Sequence, residues 1–271
     1  MTVVSAFLVH GNPLPFLKPD NPPWQGLDTG YRAAGEALAA SKPDVIAIYS
    51  TQWMAVLDQL WQTRRHVEDL DVDENWHEFG DLPFDMQIDV ELAEAAVARS
   101  ADFGVRSKGV DYDAFPVDTG SIVANNYLNA DGSLPLVLAS NNLYHDGPTT
   151  AKLAGCVVAG AEALDRRVAV VGVGGLSGTI FREEIDIAED HIASPADDEW
   201  NRRMLDTLAG GDAAAVEALV PEYAGAARVD MGFKHLAWVM GGIGDRYRGA
   251  TVHAYGPVWG SGAAVVAFDL A

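Results

Sequence analysis

Three runs of this chain, Val3 to Val9, Val45 to Ser50 and Arg167 to Val173, are almost wholly apolar and stop abruptly at polar or glycine-rich tips. Runs of that length, bounded by turn residues, predict buried strands. Leu134 to Ala139, Val252 to Tyr255 and Ala263 to Phe268 read the same way. Between them lie stretches with helical character: Thr29 to Ala40, Val90 to Ser100, the Ala-rich Thr149 to Leu164, and Asp197 to Leu208, with Lys234 to Met240 opening another. Residues His10 to Trp24 and Ser140 to Pro148 read as loops, and Arg64 to Pro83 shows no clear period and reads as a long excursion. This alternation predicts an α/β fold with a central β-sheet and helices on both faces. Functional groups in such sheets gather where strand ends meet loops.

Composition narrows the partners. With 271 residues, 49% of them apolar, the chain can bury roughly 75% of its unfolded surface, and residues 1–271 read as one domain. A net charge of -21 repels phosphate backbones and anionic membranes, so neither is an expected partner. The expectation is a chain with no secretory leader and no membrane span. Cys156 is the sole cysteine, which excludes an internal disulfide and fits a reducing cytoplasm.

Four loops draw attention at predicted strand ends: His10-Gly11-Asn12-Pro13, Ser50-Thr51-Gln52-Trp53, Asp118-Thr119-Gly120-Ser121 and Gly174-Gly175-Leu176-Ser177-Gly178. The last is no dinucleotide fingerprint, because Gly172, Gly174 and Ser177 give G-x-G-x-x-S. A Walker A lysine and a G-x-S-x-G nucleophile elbow are both absent. Asp69 to Glu74 lacks EF-hand spacing and reads as a solvated loop. His145, beside Asp146, is a candidate acid or base; His253 lies in a closing strand next to Tyr255. Trp53, Trp61, Trp76 and Trp238 read as packing anchors, and Arg182-Glu183-Glu184 as surface or interface charges.

Taken in order, these loops resemble the LigB-type extradiol dioxygenases, the class III ring-cleaving enzymes. The family's H-G-S-P, S-x-H-W and D-H-G-[ST] match His10 to Pro13, Ser50 to Trp53 and Asp118 to Ser121. Its H-D-F-G-G-F-P and G-G-L-S-H match His77 to Pro83 and Gly174 to Gly178, and its closing Y-G-x-x-x-G-x-G-x-x-V fits Tyr255 to Val265. The resemblance implies a LigB-like fold with a mixed sheet. It also implies Fe(II) chemistry, in which two histidines and a carboxylate leave open positions for an aromatic substrate and O₂.

Carried over residue by residue, the same resemblance implies a dismantled metal site. His10 remains as a remnant ligand. Gln52 replaces the second histidine, Thr119 and Gly178 replace two more, and Lys234 falls at the late carboxylate position, with His235 one residue on. Trp53, Thr119 and His253 would border a vestigial pocket. Within the family the chain is similar to non-catalytic α-type subunits, through A-F-L-V-x-G-x-P-L-P, S-T-Q-W, V-G-V-G-G-L-S-G and Arg228 to His235. Such a subunit pairs with a homologous β-type subunit that carries the Fe(II), in an α2β2 assembly that opens a 2-aminophenol- or catechol-type ring. Two other readings stay open: an active dioxygenase with a rearranged site using His10, His145 or His235, and a binding or scaffold protein on the same fold.

Overall fold

The computed structural model describes residues 2–113, 115, 117–178 and 184–271. Strand β1 (Val3–Val9) leads through a helical turn, α1 (Leu14–Leu17), into α2 (Gln25–Ser41). Then come β2 (Val45–Ala55), β3 (Gln59–Gln62), β4 (His66–Asp71), β5 (Leu82–Gln87), α3 (Val90–Ser100), β6 (Ser107–Val110) and α4 (Thr119–Leu128). The chain continues through β7 (Leu136–Asn142), α5 (Gly147–Ala163), β8 (Val168–Val173), α6 (Pro195–Ala209), α7 (Ala213–Ala226) and α8 (Lys234–Ile243). It closes with β9 (Tyr247–Val258) and β10 (Ser261–Leu270).

Eight strands form one mixed sheet in the order β6-β3-β7-β2-β8-β1-β10-β9. Its centre, β7-β2-β8-β1, is parallel, and β10 and β9 add antiparallel strands at one edge. The central runs are continuously apolar because both their faces are covered. Alternation within them still decides which core each side chain joins. Val168 and Val170 pack with α3, α5, α6, α7 and α8, whereas Ala169 and Val171 face α2, α4 and the β4–β5 hairpin. Helix starts are written in the sequence as capping residues: Asp89, Asp118, Asp146, Ser194 and Asp212 each accept a backbone N–H of the first turn.

The predicted α/β architecture holds, and several elements differ in extent. The supposed excursion from Arg64 to Pro83 contains β4 and the start of β5, a two-stranded sheet laid against the second core. Its charged outer positions, Glu68, Asp69 and Asp85, hide the strand period. Helix α7 carries Pro221 in its interior, which masks it as a helix. Asp118 to Ser121 is no strand end; it is the capped start of α4. The strand read at Val45 to Ser50 runs on to Ala55, so Gln52 lies within it. Arg182 and Glu183, read as interface charges, lie outside the described residues.

Candidate functional site

Strands β1, β2 and β8 run parallel and deliver their C-terminal ends to one side of the molecule. Three of the four predicted loops meet there with the start of α4 around a cavity of about 850 Å³. Glycines allow the close approach. A side chain at Gly11 would lie 2.8 Å from the Gly120 Cα and 2.9 Å from the Gln52 amide.

His10 follows β1, lines the cavity and is 1% exposed. Its ring packs edge-on against Tyr31 at 5.1 Å. Among the described residues neither ring nitrogen meets a partner with good hydrogen-bond geometry, although the Asn12 backbone lies near enough to act on its charge. Burial lowers its pKa to about 4, an effect the Asn12 backbone only partly offsets, so the ring is neutral at pH 7. Gln52 lines the same cavity and donates from Nε2 to the Gly11 carbonyl at 3.1 Å. It falls where the pairing of β2 with β7 lapses, between Tyr49 and Met54.

Thr119 also lines the cavity and donates to Asp71 at 2.9 Å. Burial raises the Asp71 pKa, and the Thr119 hydrogen bond works against that rise. Beneath it the Asp118 carboxylate accepts from the Ser50 hydroxyl and the Ser121 N–H, and its Oδ2 has no partner among the described residues. Burial raises its pKa as well. Gly178 lines the cavity, and a Cβ there would stand 2.9 Å from the Arg228 carbonyl oxygen.

The remaining sequence candidates sit elsewhere. Lys234 is buried and donates from Nζ to the Asn142 carbonyl at 2.9 Å, outside the cavity lining. Burial lowers its pKa, opposed by Asp230 and Asp146. His235 is fully buried beneath Gly174, where an added Cβ would lie 2.6 Å from its Nδ1. Its pKa is lowered to about 4 by burial. His145 lies on the β7–α5 connection, and burial followed by the Lys234 ammonium lowers its pKa. Of these three imidazoles only His10 reaches the cavity lining. Trp53 is buried against Phe115, and His253 is the extra residue of a β-bulge in β9. Neither lines the cavity. Trp61 and Trp238 are fully buried, as packing anchors should be, whereas Trp76 is half-buried in the cavity wall.

Sequence reasoning assigned no role to Asp230. Its Oδ2 accepts from Thr51 Oγ1 at 2.6 Å and from the Gly175 N–H at 3.1 Å, tying β2 to the glycine-rich loop. It stands in a strained turn: Met231 and Phe233 have φ of 44° and 66°, with Gly232 at 65° between them. A run of left-handed residues has no signature in residue type, although Gly232 was its one available hint. Ser177 was also missed. Asn201 donates to its hydroxyl at 2.9 Å and itself accepts from Tyr223 at 2.8 Å, anchoring the loop to α6 and α7.

Iron of the facial-triad kind needs three protein ligands on one side. The cavity supplies one imidazole, a neutral amide already bonded to Gly11, and a carboxylate already bonded to Thr51 and Gly175. Among the described residues, the one cluster of three potential ligands is His66, Glu68 and Asp85, exposed on the β4–β5 hairpin and outside the cavity lining. The cavity does not fit an Fe(II) ion held by protein side chains.

Comparisons with known proteins agree with this architecture. The chain is 49% identical, over all of both chains, to the 2-aminophenol 1,6-dioxygenase alpha subunit of a Pseudomonas species. It is 23% identical to the beta subunit from Pseudomonas, covering 99% of this chain and 94% of that one. It is also 23% identical to the 3,4-dihydroxyphenylacetate 2,3-dioxygenase of Escherichia coli, covering 83% of each. An uncharacterized protein of Escherichia coli K12 shares the fold, with a TM-score of 0.66 at 12% identity over 97% of this chain and 99% of that one. No helix among the described residues is long and apolar enough to cross a membrane. Residues 5–266 match the family model described as the catalytic LigB subunit of aromatic ring-opening dioxygenase, and the chain belongs to that family.

Proposed function

We propose that this chain is the non-catalytic α-type subunit of an extradiol dioxygenase that opens the ring of 2-aminophenol, or of a catechol-type compound, with O₂. The Fe(II) resides on a homologous β-type subunit, and the two chains assemble as α2β2 in the cytoplasm. The observation that carries the reading is Gln52, a neutral amide committed to the Gly11 carbonyl where the family places a histidine ligand. The ammonium of Lys234, committed to Asn142 where the family places its late ligand, supports it. So does Gly178, whose surroundings leave no room for an imidazole without a shift of the Arg228 backbone. The 49% identity to a protein named as an alpha subunit supports the pairing.

In this reading the chain's residues do structural work at the cavity. Asp230, Ser177 and Gln52 hold three loops in fixed relation, and His10 stays neutral. The test is ring cleavage by the purified chain, by a metal-competent homologue, and by the two co-expressed. The expected result is no turnover from this chain alone and greater turnover or stability for the pair. Ring cleavage by this chain alone overturns the proposal.

A further inference from the structure

We infer that the outer face of the β4–β5 hairpin is a site for a zinc-class cation, with His66, Glu68 and Asp85 as its ligands. The site lies outside the cavity lining and is separate from the iron chemistry of the family.

Strand pairing builds it. His66 and Glu68 stand two residues apart on β4, so both side chains leave the same face. The antiparallel register sets Asp85 of β5 directly opposite Glu68. All three are exposed, whereas Val67, Phe84 and Met86, which alternate with them, are buried in the second core. The core therefore fixes the backbone from below and presents the three outer side chains on a rigid platform. One ligand atom from each lies within 4.8 Å of the others. The His66 Nε2 already stands 2.8 Å from an Asp85 oxygen. Bonds of about 2.0–2.2 Å around a tetrahedral zinc put its ligands roughly 3.3–3.6 Å apart. Rotation of the exposed Glu68 side chain can close that difference.

Without a cation the arrangement is unfavourable. Carboxylates directly opposite one another on paired strands repel, and Glu68 faces Asp85 in that way. The segment from His66 to Gln87 holds eight Asp and Glu residues and no Lys or Arg, so its field draws cations toward the pair. The exposed His66–Asp85 ion pair does not by itself offset this, because such pairs contribute little. A cation held between the carboxylates turns their repulsion into attraction.

Ligand chemistry selects the ion. One imidazole nitrogen with two carboxylate oxygens suits Zn²⁺, whereas Ca²⁺ and Mg²⁺ take oxygen ligands. The same set holds Fe²⁺ more weakly than Zn²⁺. Three protein ligands leave the fourth position to water. The bound ion clamps β4 to β5. The connection between these strands carries Trp76 into the cavity wall, and Asp71 at the end of β4 accepts from Thr119. The clamp thus steadies one wall of the cavity from outside.

The test is titration calorimetry of the full-length chain, stripped with a chelator that is then dialysed away, with Zn²⁺ alone as the probe and Ca²⁺ as a second titrant. The expected result is one Zn²⁺ per chain at a Kd of roughly micromolar, with Ca²⁺ bound at least about tenfold more weakly. His66→Ala, Glu68→Gln and Asp85→Asn are each expected to weaken Zn²⁺ binding about tenfold or more. His191→Ala, which removes an exposed histidine elsewhere in the chain, leaves it unchanged. Zn²⁺ is expected to raise the Tm of the parent and not that of His66→Ala, and circular dichroism checks that each variant is folded. Zn²⁺ binding undiminished in all three hairpin variants, Ca²⁺ bound as tightly as Zn²⁺, or no saturable Zn²⁺ binding up to millimolar concentration overturns the inference. Each of these outcomes leaves the non-catalytic reading standing, since ring cleavage tests that separately.

Discussion

Gln52 donates its amide N–H to the Gly11 carbonyl at 3.1 Å, and so joins the end of β1 to the middle of β2 across the cavity. The bond makes Gln52 a structural tie, and a histidine placed there loses it. Gln52→His is therefore predicted to cost about 1 kcal/mol in urea unfolding and to recruit no stoichiometric iron. Adding Gly178→His forces a Cβ to within 2.9 Å of the Arg228 carbonyl oxygen, at a further cost of about 1–3 kcal/mol. Metal analysis of both variants checks this; one tightly held iron in either contradicts it.

Stability should fall on the acid side of neutrality because of two histidines. His10 and His235 titrate at about 4 in the fold, against 6.5 for an ordinary histidine. Between those limits the unfolded chain binds more protons, so their contribution is complete above pH 6.5 and is lost as pH falls toward 4. His10 accounts for roughly 3 kcal/mol over that window, and His235 acts in the same direction. Calorimetry is expected to show Tm dropping from pH 6.5 downward, with a shallower drop in His235→Leu. A Tm that stays flat to pH 4.5 contradicts the assignment.

Asp118 carries the opposite sign. Burial raises its pKa, so ionisation at neutral pH opposes folding, and its contribution to stability weakens as pH rises. Its Oδ1 nevertheless caps α4. Asp118→Asn keeps an accepting oxygen and is expected to stay within about 1 kcal/mol of the parent at pH 7. Asp118→Ala loses the cap and should cost about 1 kcal/mol or more in denaturant unfolding.

The Asp190 carboxylate binds three N–H donors. Asp190→Ala leaves those donors unpaired and should destabilise by about 3 kcal/mol, with Asp190→Asn recovering part of the loss. The denaturant midpoint measures it. Hydrogen exchange at Trp259 and Gly260 should accelerate in the alanine variant and not at the β7–β2 pairing.

The central strands were legible because burial on both faces leaves only apolar residues in them, as in Val168 to Val173. The β4–β5 hairpin was not, since one face carries Glu68 and Asp85 and resembles a solvated loop. The loops that build the cavity were visible as motifs, and the structure does bring His10, Gln52, Thr119 and Gly178 to one place. Lys234 and His235 were legible only as positions in a pattern; the left-handed turn from Met231 to Phe233 directs one to Asn142 and buries the other beneath Gly174. Asp230 binds Thr51 and Gly175 through its carboxylate, but the left-handed turn beside it has no signature in residue type.

The most direct test of the central claim is the iron content of the complex formed with a metal-competent homologue, by elemental analysis against quantified chains. One iron per pair of chains, unchanged by His10→Ala in this chain, is the predicted result. Two irons per pair, falling to one in that variant, would show that His10 holds metal with ligands other than those described, and would contradict the account.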